Sequence, residues 1–208
     1  MATPSFFPEP RPVDYDPDVV PEELYSSWDG PPQRIRPGVA DLVVELGRSD
    51  STVIAVQGAE VYGTGVVFDL VVHPRERGQE ALRRFYAALS LHHGRGQLDM
   101  ALPPGGLRWG VEFADGRKVT TLDESVWNER PDGVEPGEWE PDHPVMDGMG
   151  KAASSWWCWR RGIWLWPLPP LPTLRFVCAW PDRGIRETSV EIGTELLHRA
   201  SARATPLW

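Results

Sequence analysis

Residues 155–180, SWWCWRRGIWLWPLPPLPTLRFVCAW, decide the fold. The stretch contains three apolar runs of strand length, separated by a polar break and a proline-rich break. We predict strands at 155–159, 163–166 and 173–180, a turn at 160–162 and a stiff connection at 167–172. Since proline removes backbone donors, 167–172 is more typical of a connection between strands than of a polyproline ligand.

Tryptophan is the most informative residue type in this stretch. Side-chain alternation places Trp157 and Trp159 on one face of the first strand, and Trp164 and Trp166 share a face of the next. Pointing inward, such rings are core residues; pointing outward, they form a platform for sugar rings or for a partner's apolar surface. The candidate binding residues are these four and the two arginines of the turn, which can stack on the rings: Trp157, Trp159, Arg160, Arg161, Trp164 and Trp166.

Tryptophans fall on both faces of the predicted strands, because Trp156 alternates with Trp157. We therefore expect one face to lie in the core and the other to be covered, with the N-terminal arm as the cover.

Two hairpins are indicated upstream. Residues 107–113 alternate strictly between apolar and polar side chains, and Asp115-Gly116 is a strong turn signal before a return strand at 117–122. Strands are also predicted on either side of 63–65, where the glycines favour a hairpin loop over a phosphate-binding loop because no third glycine or helix follows. A bulge is expected at Gly58.

The remaining elements are a helix, two flanking strands and a short C-terminal helix. Residues 79–93 carry an apolar stripe at helical spacing, which predicts core contact. Strands are predicted at 39–46 and, as an edge strand, at 185–192. Thr194 is a possible cap of the last helix.

These elements predict a mainly β fold, an antiparallel β-sandwich or open barrel of about nine strands with one or two short helices. We expect a proline-rich acidic arm over residues 1–38 and a single β-rich domain over 39–208, with a long acidic loop at 123–153. Trp127 and Trp139 within that loop are candidates to anchor it to the domain.

The net charge of −9 is unevenly distributed. Residues 1–32 hold seven acids and one base, residues 122–150 hold nine acids and one base, and the rest of the chain is net +5. Either the two acidic segments are simply solvated, or one of them covers a basic face. An acidic chain without a basic cluster argues against nucleic-acid binding.

The N-terminal sequence and the length of the apolar runs predict a cytoplasmic protein, and the two cysteines leave two alternatives open. Cys158 and Cys178 each lie in an apolar run, where a free thiol behaves as a small hydrophobe, although a bridge between adjacent strands is the alternative. Residues 1–16 lack the features of a signal peptide, and no apolar run is long enough to span a membrane.

Catalytic and metal-binding motifs are not evident. No G-x-S-x-G, H-E-x-x-H, C-x-x-C or P-loop pattern occurs, so no cofactor and no metal are predicted. The alternative is a metal site from His73, His92 and either Asp142 or His143, brought together by folding, or a hydrolase-like His/Asp/Glu site near the same histidines.

The segment WLWPLPPLPTLRFVCAWPDRGIRET, together with VYGTGVVFDLVV upstream, resembles an uncharacterised protein family from actinobacteria. The resemblance spans roughly residues 35–208 and implies a bacterial cytoplasmic protein. It implies no activity and no functional residues. We therefore expect a non-enzymatic interaction module that binds a protein or small ligand through the aromatic sheet face or the acidic loop, with an uncatalogued enzyme as the alternative.

Overall fold

Two antiparallel sheets pack face to face in the computed structural model of the chain, which describes residues 26–90, 105–155 and 157–208. In chain order the strands are β1 (Ile35–Arg36), β2 (Gly38–Arg48), β3 (Thr52–Val61), β4 (Val66–Pro74), β5 (Arg108–Phe113), β6 (Lys118–Thr120), β7 (Val145–Ser155), β8 (Cys158–Trp166), β9 (Thr173–Trp180), β10 (Ile185–Gly193) and β11 (Thr205–Pro206). The helices are α1 (Gln79–Ser90) and α2 (Glu195–Ser201).

The larger sheet has the order β2-β3-β4-β8-β7 and the smaller one the order β10-β9-β5-β6, while β1 and β11 form a separate two-stranded ribbon. Nine strands in the described ranges are longer than two residues. The antiparallel β-sandwich predicted from the sequence, with its two short helices, is therefore confirmed.

Alternating side chains fill the space between the sheets. On β5, Trp109, Val111 and Phe113 are buried in the core. Phe68 of the larger sheet and Phe176 of the smaller one meet across the gap, with ring centroids 5.2 Å apart. We call the core side of each sheet its inner face and the opposite side its outer face.

The two helices close opposite ends of the sandwich. At one end, which we call the α1 end, Phe85 stacks on Trp180 with ring centroids 5.7 Å apart. At the other, the α2 end, Leu197 and Ala200 join the core beside the start of β2. The apolar stripe predicted for the first helix is core contact at Leu82, Phe85 and Leu89, which are buried.

The hairpins form where the local signals predict them. Gly116 adopts a left-handed φ of 87° between β5 and β6, a conformation in which a Cβ would be strained. The amide of Tyr62 donates to the Gly65 carbonyl at 2.9 Å, closing the β3–β4 hairpin. Gly58, with a φ of 97°, lies where the β3 register shifts, so the predicted bulge is present.

The turn predicted at 160–162 is wrong. Cys158–Trp166 is one continuous strand, and the chain reverses instead between Ser155 and Cys158. The polar dipeptide and glycine suggest a break, but they sit in the middle of a sheet: Gly162 pairs with Asp69 of β4, and the Arg160 guanidinium finds a carboxylate partner there. A paired partner strand thus overrides a local turn signal.

The acidic loop is shorter than predicted. Val145–Ser155 forms β7, an edge strand that pairs with β8, so the irregular segment ends at residue 144. The strand contains two glycines, two methionines and small residues, a composition with low β propensity, and its register with β8 shifts between Gly148 and Ala152.

The C-terminal region differs from expectation at one residue. Thr194 precedes α2, but its hydroxyl donates to the Pro170 carbonyl at 2.9 Å instead of capping the helix. His198 contacts the Pro169 carbonyl at 2.9 Å. The proline-rich connection is thus held against α2, and β10 is an edge strand as predicted.

Some sequence predictions fall outside the described residues. These are most of the N-terminal arm (1–25), the end of the predicted first helix with His92 and His93, and Trp156.

Candidate functional site

The outer face of the larger sheet is divided into two halves. Toward the α2 end, apolar side chains of the sheet lie under other segments of the chain, and we call this the covered half: Tyr62, Val67, Val145, Trp164 and Trp166. Toward the α1 end the same strands carry polar groups, and we call this the polar half: Gln57, Asp69, His73 and Arg160, with Trp157 at the tip.

Trp28 is the centre of the cover. It is 1% exposed, and its indole NH donates to the Trp139 carbonyl at 2.8 Å. Its own carbonyl accepts from the indole NH of Trp164 at 3.1 Å. Its ring lies 4.9 Å from Trp127 and 5.3 Å from Trp139. One residue of the N-terminal arm therefore joins the sheet to the acidic loop, as the two-faced tryptophan pattern predicts.

Trp157 lies in the reversal between β7 and β8 and is 62% exposed. The Arg77 guanidinium lies 5.5 Å from its ring centroid, a cation–π arrangement. His73 Nδ1 is 3.1 Å from the carbonyl oxygen of Trp157. The backbone amide of Trp157 donates to the Ser155 hydroxyl at 3.4 Å. The ring of Trp157 is therefore exposed, while the backbone of this residue is held by His73 and Ser155.

Arg160 crosses the polar half on the outer face of β8. Its guanidinium bonds Asp69 at 3.0 Å and Gln57 at 3.3 Å. The side chain of Arg160 is 48% exposed and that of Asp69 30% exposed, so solvent reaches the pair. This arrangement orients a cationic group across three neighbouring strands, β3, β4 and β8.

The six predicted binding residues do not form one platform. Because β8 is continuous, alternation places Trp159 on the inner face and Trp164 and Trp166 on the covered half, with Trp157 in the turn. Arg160 lies on the outer face and Arg161 on the inner face. Four tryptophans side by side are therefore not present; whether any of the six residues binds a ligand stays a prediction.

His73 and His143, the two described histidines of the predicted metal or hydrolytic site, lie far apart. His73 contacts the turn that begins β8, whereas His143 lies two residues before β7, whose first residue pairs with Trp166 at the far end of β8. A nine-residue strand separates them, which is about 25 Å. No group of three metal-ligating side chains occurs within the described ranges.

The two cysteines are free and lie in different sheets. Burial raises the pKa of Cys178 to about 12. Burial also raises the pKa of Cys158, although Arg160 opposes the shift. Both groups are thiols at neutral pH, so neither has the lowered pKa of a reactive cysteine.

The acidic loop, residues 123–144, is anchored at its base and exposed at its acids. Trp127 and Trp139 pack against the covered half, as predicted from their positions. The acidic side chains that face solvent are Asp123, Glu124, Glu129, Asp132, Glu135, Glu138, Glu140 and Asp142. The loop covers an apolar surface, so the alternative that it covers a basic face is not what the structure shows.

His143 links the two ends of this loop. Its Nε2 lies 2.7 Å from a Glu129 carboxylate oxygen and its Nδ1 lies 3.0 Å from the Pro144 carbonyl. Both partners are acceptors, so the ring makes both bonds only as a doubly protonated imidazolium. The Glu129 hydrogen bond is the main cause that raises the pKa of His143.

Sequence reasoning misses the partners of Trp157 and Arg160. His73 lies near the end of β4, 84 residues before Trp157, and Arg77 follows that strand. Only the antiparallel register of β4 with β8 brings them together. The one local signal is the polar Asp69 within the otherwise apolar run 66–72.

Comparisons of the chain with protein-family models, with curated proteins and with solved structures found no match. The resemblance to an actinobacterial family therefore stays a prediction. None of the helices in residues 26–90, 105–155 and 157–208 has the length and apolarity needed to cross a membrane.

Proposed function

We propose that this protein is a non-enzymatic interaction module that binds a partner protein through the polar half, with Trp157 as the anchor. The observation that carries the proposal is an exposed tryptophan whose backbone is held by His73 and whose ring is flanked by Arg77. Tryptophan and arginine are the residue types most enriched among side chains that dominate binding energy.

The fixed backbone of Trp157 supports this role. Association costs conformational entropy when side chains or loops must be ordered, and a ring already held in place loses less. Arg77 covers part of the indole, which leaves the rest of the ring for an apolar pocket of the partner. Arg160, oriented by Asp69, adds a positive group on the same half.

Charge indicates the chemistry of the partner. The chain outside residues 1–32 and 122–150 is net +5, and the polar half presents Arg77 and Arg160. A partner surface with an apolar pocket and acidic residues around it fits these groups. Nucleic acid is not the proposed partner, since the whole chain carries a net charge of −9.

The other aromatic surface is less suited to binding. Trp164 is 0% exposed and Trp166 is 7% exposed beneath the Trp28 cover, so a ligand would have to displace the cover. The acidic loop is a second surface for a basic partner, because its carboxylates face solvent while Trp127 and Trp139 hold its base. The free cysteines support a cytoplasmic setting for either interaction.

Two tryptophan variants test the proposal. Trp157→Ala removes the anchor, and Trp208→Ala removes a ring that is 88% exposed outside the polar half. In affinity capture from cells that express the protein, we expect a captured protein to be lost with Trp157→Ala and kept with Trp208→Ala, at unchanged melting temperature. If Trp157→Ala captures the same proteins in the same amounts, the polar half is not the binding surface.

A third variant separates the two surfaces. Neutralising Glu135, Glu138 and Glu140 to Gln changes only exposed side chains of the loop. A partner of the polar half stays bound to this variant, whereas a partner of the acidic loop is lost.

Metal analysis and a generic hydrolase panel on the purified wild-type protein test the alternative of an uncatalogued enzyme.

A further inference from the structure

Two groups of charged side chains on the larger sheet lack a partner of opposite charge. Arg75 and Arg77 follow β4 at the α1 end and are exposed, and neither forms an ion pair with a described residue. The exposed glutamates around Trp139 in the acidic loop also form none within the described ranges: Glu135, Glu138 and Glu140. Each group is therefore available to a partner of the opposite charge.

The two groups lie at opposite ends of the same outer face. Arg77 covers the ring of Trp157 in the reversal that begins β8, whereas Trp139 packs against the cluster that contains Trp166 at the other end of that strand. A strand of nine residues is about 25 Å long, which is about three Debye lengths at physiological salt. The two groups therefore cannot neutralise each other within one copy of the chain.

The two ends of this face also differ in height. Trp28 and Trp139 add a layer of chain over Trp164. At the other end no such layer covers Arg160 and Asp69, whose side chains reach solvent. The outer face therefore has a raised acidic end and a lower basic end.

Both halves include side chains of β4 and β8, Val67 and Trp164 in the covered half and Asp69 and Arg160 in the polar half. A two-fold axis in the plane of the face, directed across the strands, keeps β8 of one copy over β8 of the other and reverses the strand direction. The raised acidic end of each copy then lies on the lower basic end of the other. The flat area of the face is about 600 Å² before side-chain relief is added, which approaches the ~800 Å² per partner of a typical interface.

We propose that the partner of the polar half is a second copy of this chain, which presents its acidic loop. This assignment rests on the proposed function, because it names the partner of that same surface. Trp157 of each copy packs against the half-buried ring of Trp139 in the other, and the arginines face the exposed Glu138 and Glu140 beside that ring. Trp139 and these glutamates supply the apolar surface and the acidic surroundings that the polar half requires.

The concentration and salt dependence of the molecular mass tests the dimer. Because the charges of both surfaces are exposed and screened by salt, the dimer should dissociate on dilution and weaken as the salt concentration rises. Sedimentation velocity on the purified full chain measures the mass over a concentration series at low and at high salt. The mass should rise from one chain towards two, and less so at high salt. A mass of one chain at every concentration would overturn the assignment.

Two charge-reversal variants test which surfaces meet. One variant carries Arg75→Glu and Arg77→Glu, and the other carries Glu138→Arg and Glu140→Arg. Each variant alone brings like charges together and should stay monomeric, whereas an equal mixture restores both contacts and should form a heterodimer. Dimerisation of either variant alone as strongly as wild type, or a mixture that stays monomeric, would contradict the two-fold arrangement.

The smaller sheet offers a matched control. Lys118 and Arg186 are exposed on its two edge strands, β6 and β10. The variant with Lys118→Glu and Arg186→Glu has the same net charge as the variant with Arg75→Glu and Arg77→Glu, and it should dimerise like wild type. Equal loss of the dimer in both variants would mean that net charge, and not the polar half, controls association.

Affinity capture distinguishes failure of this assignment from failure of the proposed function. A second copy should be captured less after Trp157→Ala and also after neutralisation of the three loop glutamates, whereas a different protein on the polar half responds to Trp157→Ala alone. A monomeric wild type that still captures a protein through Trp157 excludes the second copy and leaves the proposed function standing. Absence of both self-association and Trp157-dependent capture excludes both.

Discussion

The covered half and the polar half lie on the same face of the same strands, yet they are built in opposite ways. On the covered half, Trp164 and Val67 are paired neighbours beneath Trp28. A few residues away, Arg160 and Asp69 form a solvent-reached ion pair. Strand alternation decides which side chains share a face, but segments distant in the chain decide which part of that face is removed from water.

The largest loss of stability is expected from a substitution at Trp28, the centre of the cover. Trp28→Ala removes a buried ring and its indole hydrogen bond to the Trp139 carbonyl, and only the backbone carbonyl that accepts from Trp164 is kept. We expect the free energy of unfolding to fall by about 3–5 kcal/mol. Denaturant unfolding measures this. Trp157→Ala in the polar half is the control, with an expected change within about 0.5 kcal/mol. Equal losses for both variants would mean that the two halves do not differ in packing.

A smaller loss is expected where the covered half approaches the β3–β4 hairpin. A Cβ at Gly65 would lie 2.6 Å from both the Leu165 carbonyl oxygen and the Trp164 ring. Gly65→Ala should therefore destabilise by about 1–3 kcal/mol through overpacking. Gly63→Ala in the same turn is the control, since no atom lies within 4 Å of its Cβ position. Thermal unfolding that ranks Gly63→Ala as the worse variant would contradict this packing.

The ion pair of the polar half should contribute little to stability. Because both side chains reach solvent, a double-mutant cycle of Arg160→Ala and Asp69→Ala is expected to give a coupling of about 0.2–1 kcal/mol. Raising the salt concentration should reduce it further. A coupling well above this range would show that the Arg160–Asp69 pair is shielded from solvent as strongly as the side chains of the covered half.

The smallest expected effect is a pH dependence of the free energy of unfolding, which comes from His143 in the acidic loop. The folded-state pKa of His143 is raised above its ordinary 6.5, mainly by Glu129, with Pro144 and Asp142 acting in the same direction and burial opposing them. The stabilisation is therefore fully present below pH 6.5 and is lost as pH rises through the folded-state pKa. Since the side chains of His143 and Glu129 are both more than a third exposed, this stabilisation amounts to less than about 1 kcal/mol.

Glu129→Gln tests the origin of this dependence. The variant should lower the His143 pKa measured by NMR titration and flatten the stability profile above pH 6.5. His198→Gln is the control, because His198 contacts a backbone carbonyl and no carboxylate. An unchanged His143 titration in Glu129→Gln would rule out the ion pair as the cause.

Local patterns predict much of the sandwich. The hairpin at Asp115-Gly116 and the bulge at Gly58 depend on residues that are adjacent in sequence, and both are present. The same local reasoning fails at 160–162, where a polar pair and a glycine suggest a turn. Only the pairing of Gly162 with Asp69, over ninety residues earlier, keeps that segment extended.

The candidate sites are less predictable than the fold for the same reason. Trp157 and Arg160 are identifiable in the sequence as aromatic and polar positions. Their partners are Asp69 and His73 on the neighbouring strand β4 and Arg77 just after it, all at least eighty residues earlier in the chain.

Trp28 has a consequence for the order in which the chain can fold. The residue leaves the ribosome 136 residues ahead of Trp164, whose indole bonds its carbonyl. At a synthesis rate of about 5–20 residues per second, the wait is on the order of 10 s. Until β8 emerges, Trp28 cannot contact Trp164, and the larger sheet lacks the strand that joins β4 to β7. A nascent chain arrested before residue 164 should therefore expose this ring to a chaperone.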